Sequence, residues 1–306
     1  MSSTIKQLLK AIPRLLKLDR QIDDVKINQG RILSMLQQDF RLNSLSSYEF
    51  KVFSQWGEDG ILQHLTKHLN IPCHTFIEFG VEDFYESNCR LLLMKDRWAG
   101  YVIDGSTANI ERLKSSYFYW QYPLGSTASF ITRENVEALL SESGFSRDLG
   151  ILSVDIDGVD YHVLEALAEW RPSIIIVEYN GVFGHRVPVS VPYSADFQRT
   201  TKHVSNLYYG ANLPAFQHLL TGRGYALVGV NGAGSNAFFV RNQLINDRVP
   251  AVTLAQCYRD SSFREGRGES GQLSFLSGPA RRGPIASLPL VNVVTGAMLT
   301  VGDLGE

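Results

Sequence analysis

The chain has 306 residues, of which 44% are hydrophobic and 20% charged, a composition typical of folded globular proteins and not of disordered or fibrous ones. The 29 lysines and arginines against 31 aspartates and glutamates give a formal net charge of −2, so charge offers no support for a nucleic-acid partner. Cys73, Cys89 and Cys257 have neither metal-ligand spacing nor a disulfide framework, and we expect a reducing, cytoplasmic setting. No apolar run approaches the roughly 20 residues that span a bilayer.

Residues 1–43 form a segment of their own, predicted to be an amphipathic or coiled-coil helix. Residues recur along it at intervals of three and four, with one polar a-type position: Leu15, Leu18, Ile22, Val25, Gln29, Ile32 and Leu36. The upstream turns are basic, and Pro13 predicts a kink. The spacing favours a homo-oligomer formed through this helix, and the basic turns favour peripheral contact with the anionic inner membrane. The alternative is a helix packed on its own domain.

The central region, residues 49–242, contains four apolar runs that each end in an acid or an amide. They are residues 75–79 with Glu78 before Gly80, residues 100–103 before Asp104, residues 149–154 before Asp155 and Asp157, and residues 173–177 before Glu178 and Asn180. Buried parallel strands with crossover helices have this pattern, and their carboxyl ends lie at one edge of the sheet. We therefore expect these polar side chains to converge on one crevice.

The end of this region indicates a hairpin. Residues 225–230 and 236–240 are apolar, and residues 231–235 between them, Asn-Gly-Ala-Gly-Ser, are typical of a tight turn. With a further strand at residues 126–131, the chain predicts an α/β fold with a Rossmann-like, mostly parallel sheet and an antiparallel last strand. Residues 243–306 form a C-terminal extension with a small β-hairpin at residues 288–299.

The loop after the first strand is acidic. Gly80 is followed by Val81, Glu82 and Asp83, so the second glycine of a dinucleotide fingerprint is missing. Acids beside this loop would repel a pyrophosphate, and a cationic or zwitterionic nucleoside fits better. Asp104 is placed to accept hydrogen bonds from ribose hydroxyls. Its alternative role is to form an Asp-Gly turn.

The residues of three segments resemble the class I S-adenosylmethionine-dependent methyltransferases, and within that class the FkbM-like families of bacterial glycan and natural-product pathways. The segments are residues 76–80, residues 101–106, and residues 153–160, whose S-V-D-I-D-G-V-D is similar to the family's D-V-E-G-x-E with each Glu shortened to Asp. The resemblance covers about residues 53–241, and implies S-adenosyl-L-methionine as cofactor. The cofactor-binding residues that it implies are Glu78, Phe79, Gly80, Asp104, Gly105, Ser106, Thr132, Asn135 and Asp155.

The acids after the third and fourth apolar runs suggest a metal site. Asp155, Asp157, Glu178 and Asn180 resemble the metal site of catechol-type O-methyltransferases, and their hard oxygen atoms suit Mg²⁺ or Mn²⁺. The alternative is that Asp157 and Gly158 form a turn and Asp160 caps the next helix.

Methyl transfer needs an oriented acceptor oxygen and a base. The catalytic candidates are His185 on the long loop after Asn180, with His203 second, and Asp155. Trp56, Tyr208 and Tyr209 could form an aromatic wall for a sugar ring, although core packing is the alternative role of the tyrosines. Arginines of the C-terminal extension are candidates for an anionic acceptor: Arg259, Arg264 and Arg267.

The sequence therefore predicts an O-methyltransferase that acts on a hydroxyl of a sugar or surface-glycan precursor. Two alternatives remain open. Asp155-Ile156-Asp157 also matches the D-x-D motif of metal-dependent glycosyltransferases. A non-catalytic scaffold of a glycan-assembly pathway would instead use the N-terminal helix and the C-terminal extension as its working surfaces.

Overall fold

The computed structural model describes the backbone of residues 3–305 and the side chains of residues 18–305. Its strands in chain order are β1 (Thr75–Phe79), β2 (Ala99–Asp104), β3 (Leu124–Ala128), β4 (Ile151–Val154), β5 (Ile174–Glu178), β6 (Val189–Ser190), β7 (Tyr225–Val230), β8 (Asn236–Arg241), β9 (Pro289–Asn292) and β10 (Met298–Thr300). Seven of them form one sheet in the order β3-β2-β1-β4-β5-β8-β7. Strands β1 to β5 are parallel, and β8 lies antiparallel between β5 and β7. The predicted Rossmann-like sheet with an antiparallel last strand is confirmed.

Helices cover both faces of this sheet. They are α1 (Ser3–Gln37), α2 (Glu58–His68), α3 (Arg90–Asp96), α4 (Thr107–Ser115), α5 (Val136–Ser141), α6 (Asp160–Ala166), α7 (Arg199–Lys202), α8 (Leu213–Thr221) and α9 (Leu254–Cys257). Successive residues of a strand enter different cores: Phe76 joins the core under α2, α3 and α4, and Ile77 joins the core under α5, α6 and α8. Because both faces are buried, the strands are continuous apolar runs without alternation.

The two ends of the chain pack on the central sheet. Helix α1 contacts α2 and α3, and its Ile27 is buried in the core on that side. At the other end, β9 pairs with β10 and with β6, so the predicted C-terminal hairpin is present and extends into a three-stranded sheet. Ile285, Leu290 and Val301 of the extension are buried in the core under α5, α6 and α8.

Some boundaries differ from the sequence-based expectation. Strand β3 occupies Leu124–Ala128 and not residues 126–131. Helix α3 begins at Arg90, because the residues just before it are held in a loop by Glu78. The stretch around Leu45, which looks like a polar linker, forms a helical turn whose Leu45 and Tyr48 are buried. The basic turns upstream of residue 18 and Pro13 lie outside the described side chains, and within the described residues no helix is long and apolar enough to cross a membrane.

Candidate functional site

A cavity of about 700 Å³ opens at the carboxyl ends of β1, β2, β4 and β5. It lies where the strand order reverses between β1 and β4, which is where open α/β sheets bind ligands. Its lining is strongly acidic, with eight carboxyl side chains against two arginines. The acids are Glu78, Glu82, Glu86, Asp104, Asp155, Asp157, Glu178 and Glu265, and the arginines are Arg199 and Arg264. The acids expected at four strand ends do converge on one crevice.

Gly80 allows the loop after β1 to cross the end of β4. Its φ is +68°, and a Cβ atom at this position would lie 1.7 Å from the carbonyl oxygen of Asp155. No side chain fits there, so the glycine brings the first loop against the fourth strand and closes the floor of the cavity.

Glu78 lines the cavity, but its carboxylate is used by its own loop. It accepts hydrogen bonds from the Ser87 hydroxyl at 2.6 Å and from the backbone N–H groups of Asn88 and Cys89 at 2.8 and 3.2 Å. Burial raises the pKa of Glu78, and these donors oppose that rise. Because both oxygen atoms are occupied, Glu78 shapes the loop that surrounds a ligand.

Asp104 combines the two roles considered for it. Its carboxylate lines the cavity, accepts from the backbone N–H of Ser106 and the amide of Asn109, and accepts from the backbone N–H of Glu82 at 2.8 Å. Glu82 has φ +48°, a strained conformation for a residue with a side chain. Asp104 therefore holds the acidic loop after β1 in its cavity-facing form.

The other residues implied for cofactor binding divide into two groups. Phe79 and Gly105 line the cavity. Ser106, Thr132 and Asn135 do not: Ser106 caps α4 by accepting from the Asn109 N–H, and Thr132 and Asn135 bond to each other at the start of α5. Where the sequence suggested Thr132 and Asn135, the wall is formed by the neighbouring Ser129, Phe130 and Ile131, because β3 ends three residues earlier than expected.

Three of the four predicted metal ligands meet. Asp155, Asp157 and Glu178 each place a carboxyl oxygen within 4.8 Å of the other two. Parallel pairing of β4 with β5 brings their carboxyl ends side by side. Tyr209 donates to Glu178 Oε1 at 3.3 Å, and Glu178 Oε2 is buried with no hydrogen-bond partner in the part of the chain that the structure describes. A buried carboxyl oxygen with nothing to bind is costly, so this atom is available to a ligand.

The electrostatics of this cluster favour protonation or a cation. Burial raises the pKa of Asp155 well above its usual range, and repulsion from Asp157 and Asp160 adds to the rise. Burial likewise raises the pKa of Glu178, with repulsion from Asp155 next in importance. A proton or a positive ligand between the two carboxyl groups would relieve both effects.

The turn that follows β4 supports the alternative considered for Asp157 and Asp160 as well. Asp157 has φ +53°, which is turn geometry, and its carboxylate pairs with Arg199. Asp160 accepts from the backbone N–H groups of Ile156 and Gly158 at the start of α6, and burial raises the pKa of Asp160 to about 6.

Arg199 also pairs with Glu265 and lies 3.9 Å from the ring centroid of Tyr209, so it links the turn after β4 to the C-terminal extension.

Asn180, the fourth predicted ligand, does not line the cavity. Its amide donates to the carbonyl oxygens of Leu207 and Tyr209, both at 3.0 Å, and its Oδ1 accepts from the Val182 N–H. The side chain is buried because it links the loop after β5 to the segment that carries Tyr209. Asn180 therefore positions Tyr209 beneath Glu178.

Neither histidine proposed as a base lines the cavity. The exposed ring of His185 packs on Tyr258 with 4.4 Å between ring centroids. Nδ1 of His203 bonds to the hydroxyl of Ser205 in the loop after α7. The same loop places Phe197 and Arg199 in the cavity lining, whereas the imidazoles of His185 and His203 bond or pack elsewhere.

The aromatic wall differs from the expected one. Tyr208 and Tyr209 are buried in the core, whereas Trp56 lines the cavity and stacks on Phe263 with 5.9 Å between ring centroids. Phe263 belongs to the C-terminal extension, which passes over the sheet edge: the Tyr179 hydroxyl donates to the Arg259 carbonyl at 2.7 Å.

Of the three arginines considered in the extension, Arg264 alone lines the cavity. Arg259 reaches the hydroxyl of Ser46, and Arg267 donates to the Gly271 carbonyl.

Several cavity residues escaped the sequence reasoning. Asn88 donates to the Ser153 hydroxyl at 3.1 Å and so ties the first loop to β4. Phe130 and Phe197 add apolar wall, and Asn236 enters from β8. A Ser-Asn pair just before a helix is a signal for Asn88, but nothing local marks the others.

Only the comparison with solved structures finds proteins similar to this chain. No family model and no curated protein matches the chain. Among solved structures, it is similar to an O-methyltransferase family protein from Burkholderia thailandensis, with 11% identity and a TM-score of 0.35 over 60% of this chain and 58% of that one. An S-adenosylmethionine-dependent methyltransferase from Clostridium acetobutylicum gives 7% identity and a TM-score of 0.39 over 60% of this chain and 90% of that one. A SAM-dependent methyltransferase from Aquifex aeolicus gives 11% identity and a TM-score of 0.34 over 60% of this chain and 88% of that one.

The chain thus spans little more than half of the Burkholderia protein's length. These TM-scores are below 0.5, so the Rossmann-like fold is established by the strand order and register and not by the comparisons.

Proposed function

We propose that this chain is an S-adenosylmethionine-dependent O-methyltransferase that methylates a hydroxyl of a sugar or surface-glycan precursor in the cytoplasm. The observation that carries the proposal is the acid-lined cavity at the point where the strand order reverses. A sulfonium nucleoside is cationic at the reacting end, so a lining with many more carboxyl groups than arginines attracts it. The glycan acceptor follows the resemblance to the FkbM-like families.

The first and second strands would hold the cofactor. Asp104 fixes Glu82 toward the cavity, and Gly80 lets the first loop cross the end of β4 at the cavity floor. The apolar side chains of Phe130 and Ile131 line the same end and suit a flat base. When bound, S-adenosylmethionine supplies an electrophilic methyl group.

The fourth and fifth strands would orient the acceptor. Among the described residues Glu178 Oε2 has no hydrogen-bond partner, so when Glu178 is ionised this oxygen can accept a hydrogen bond from an acceptor hydroxyl and take its proton. Burial raises the pKa of both Glu178 and Asp155, and a carboxylate with a raised pKa is a stronger base toward that proton. Trp56 and Phe263 present aromatic faces at the mouth, where a sugar ring can stack.

A divalent cation also fits the acidic cluster. Asp155, Asp157 and Glu178 offer three hard oxygen ligands close together, one of them unpartnered, as Mg²⁺ or Mn²⁺ prefers. Bound there, the ion would lower the pKa of a neighbouring acceptor hydroxyl. Arg199 pairs with one carboxylate oxygen of Asp157, Oδ1, so the ion would use the other oxygen or compete with this ion pair.

The same acidic cluster is the observation that favours a metal-dependent glycosyltransferase as second candidate. In that enzyme class the cation would hold a nucleotide-sugar diphosphate. The remaining lining opposes this role, because Glu78, Glu82 and Asp104 would face a polyanion across a cavity that holds two arginines.

Thermal unfolding of the full chain separates the candidates. We expect S-adenosylhomocysteine to raise the Tm, by the equivalent of about 2.7 kcal/mol at a hundred times its Kd. UDP with MnCl₂ should leave the Tm unchanged. Stabilisation by UDP with MnCl₂ alone would support the glycosyltransferase. If neither ligand binds, the scaffold hypothesis gains support. Transfer of labelled methyl groups from S-adenosylmethionine to a panel of sugars then tests the acceptor class.

A further inference from the structure

Helix α1 has two faces with the same heptad spacing, and only one of them packs on the body of the protein. The packed face consists of Asp23, Ile27, Gly30, Ser34 and Gln37. Asp23 pairs with Arg90 at 2.5 Å, the Gln37 amide donates to the Gly60 carbonyl at 2.9 Å, and a Cβ at Gly30 would lie 3.0 Å from Val52. The contacts of this face are thus largely polar, and they fix α1 against the neighbouring helices.

The second face is apolar and exposed. Its residues are Leu18 at 47% exposure, Ile22 at 45%, Val25 at 67%, Ile32 at 59% and Leu36 at 61%. A surface helix of a globular protein normally buries its apolar stripe and presents its polar one. In α1 the arrangement is reversed, so within the described residues the more hydrophobic face has no partner. A contiguous stripe of this kind indicates a binding surface.

The spacing of the exposed face identifies the kind of partner. The residues follow intervals of 4, 3, 4, 3 and 4 with Gln29 in the series, which is a strict heptad. A straight α-helix drifts away from such a repeat by about 20° per heptad, so a strict heptad fits a second helix wound around the first. Binding to a flat surface would not require a strict heptad repeat.

We propose that this face binds the same face of a second copy of this chain, as a parallel, in-register, two-stranded coiled coil. In the heptad, Ile22, Gln29 and Leu36 are a positions, and Leu18, Val25 and Ile32 are d positions. Parallel helices pair a with a, so Gln29 meets Gln29 of the second copy and the two amides can bond. Antiparallel helices pair a with d, and every d position of this face is apolar.

The polar residue therefore selects the arrangement. Leaving a buried amide unpaired costs about 1–3 kcal/mol, so Gln29 disfavours the antiparallel pair and shifted registers. The inference does not depend on the proposed methyl transfer.

The oligomeric state of the full chain tests the proposal. Light scattering coupled to size-exclusion chromatography should give a dimer for the parent. The double variant Val25→Glu/Ile32→Glu should be a monomer with an unchanged Tm at low protein concentration, because both side chains are exposed in the single chain. The control Arg20→Gln/Arg31→Gln makes the same change in net charge at exposed positions off the face, and it should stay dimeric.

Cross-linking tests the orientation. An Ile22→Cys variant should form an intermolecular disulfide under oxidation, because equivalent a positions are adjacent only in a parallel, in-register pair. The parent, with its native cysteines, gives the background. A monomeric parent overturns the proposal, as does a dimer that survives the double variant or lacks the cross-link. A monomeric parent that binds phosphatidylglycerol vesicles through this face would assign the face to a membrane instead.

Discussion

Gly80 and Asp155 meet so closely that a Cβ atom on the glycine would lie 1.7 Å from the aspartate carbonyl oxygen. The contact joins the loop after β1 to the end of β4, and these two strands flank the position where the strand order reverses. The part of the cavity assigned to the cofactor and the part assigned to the acceptor are therefore held together by one backbone crossing.

Gly80→Ala is expected to damage both stability and ligand binding. The methyl group collides with backbone that cannot move without shifting β4, and the φ of +68° adds about 1–2 kcal/mol of strain. We expect a Tm at least several degrees below the parent and no detectable binding of S-adenosylhomocysteine by calorimetry. Gly144→Ala is the matched control, since Gly144 has φ +69° with no atom near its missing Cβ. Equal effects of the two substitutions would contradict a role for the crossing.

Asp104→Asn is expected to weaken cofactor binding at least tenfold. All three groups around the carboxylate are donors, so the new amide must turn its own N–H toward one of them. Loss of the bond to the Glu82 N–H would release the strained loop. Calorimetric titration with S-adenosylhomocysteine measures the effect. Asp83→Asn makes the same change of charge on the same loop outside the cavity lining, and its affinity should stay within twofold of the parent.

Glu178→Gln is expected to flatten the dependence of stability on pH. The pKa of Glu178 is raised in the folded chain, so between the unfolded value of about 4.3 and the raised value the native state binds more protons than the unfolded state. Glu178 therefore increases the free energy of unfolding at low pH, and this contribution is lost as the pH rises through this window. An amide does not titrate, so the variant should lose less stability than the parent as the pH is raised above about 4.3.

The metal hypothesis adds a second measurement to the same variant. MnCl₂ should raise the Tm of the parent more at high pH than at low pH, because the ligands must be deprotonated. The Glu178→Gln variant should show little of this stabilisation. Asp160, with a pKa of about 6, titrates in both proteins, so the difference between them isolates the cluster. Equal stabilisation of both proteins by MnCl₂ would place the ion elsewhere.

Asp23→Ala is expected to cost about 3–5 kcal/mol of unfolding free energy, because it leaves the buried Arg90 guanidinium without its carboxylate. That guanidinium lies between the rings of Phe53 and Phe118, 4.1 and 4.4 Å from their centroids, where water cannot replace the lost partner. Urea unfolding measures the loss. The exposed neighbour Asp24→Ala should stay within about 0.5 kcal/mol of the parent. A small effect at Asp23 would show that α1 is held mainly by its apolar contacts.

The sequence by itself determined the sheet and the acids at its edge. Runs such as residues 173–177 are apolar enough to be buried on both faces, and parallel strands bring their carboxyl ends together whatever the loops do. This is why Asp155 and Glu178, 23 residues apart in the chain, are neighbours as predicted. The antiparallel hairpin was likewise predictable from neighbouring residues, since its glycine-containing turn lies between two apolar runs.

Tertiary structure decided how the loops use that edge. Asn180 is buried because its amide donates to the carbonyl groups of residues 207 and 209, and the two histidines of the same loop find partners outside the cavity. Phe263 reached Trp56 from more than 200 residues away through contacts that no local pattern encodes. Secondary structure follows from neighbouring residues, whereas the direction of a side chain in a long loop depends on which distant groups need a hydrogen-bond partner or cover from water.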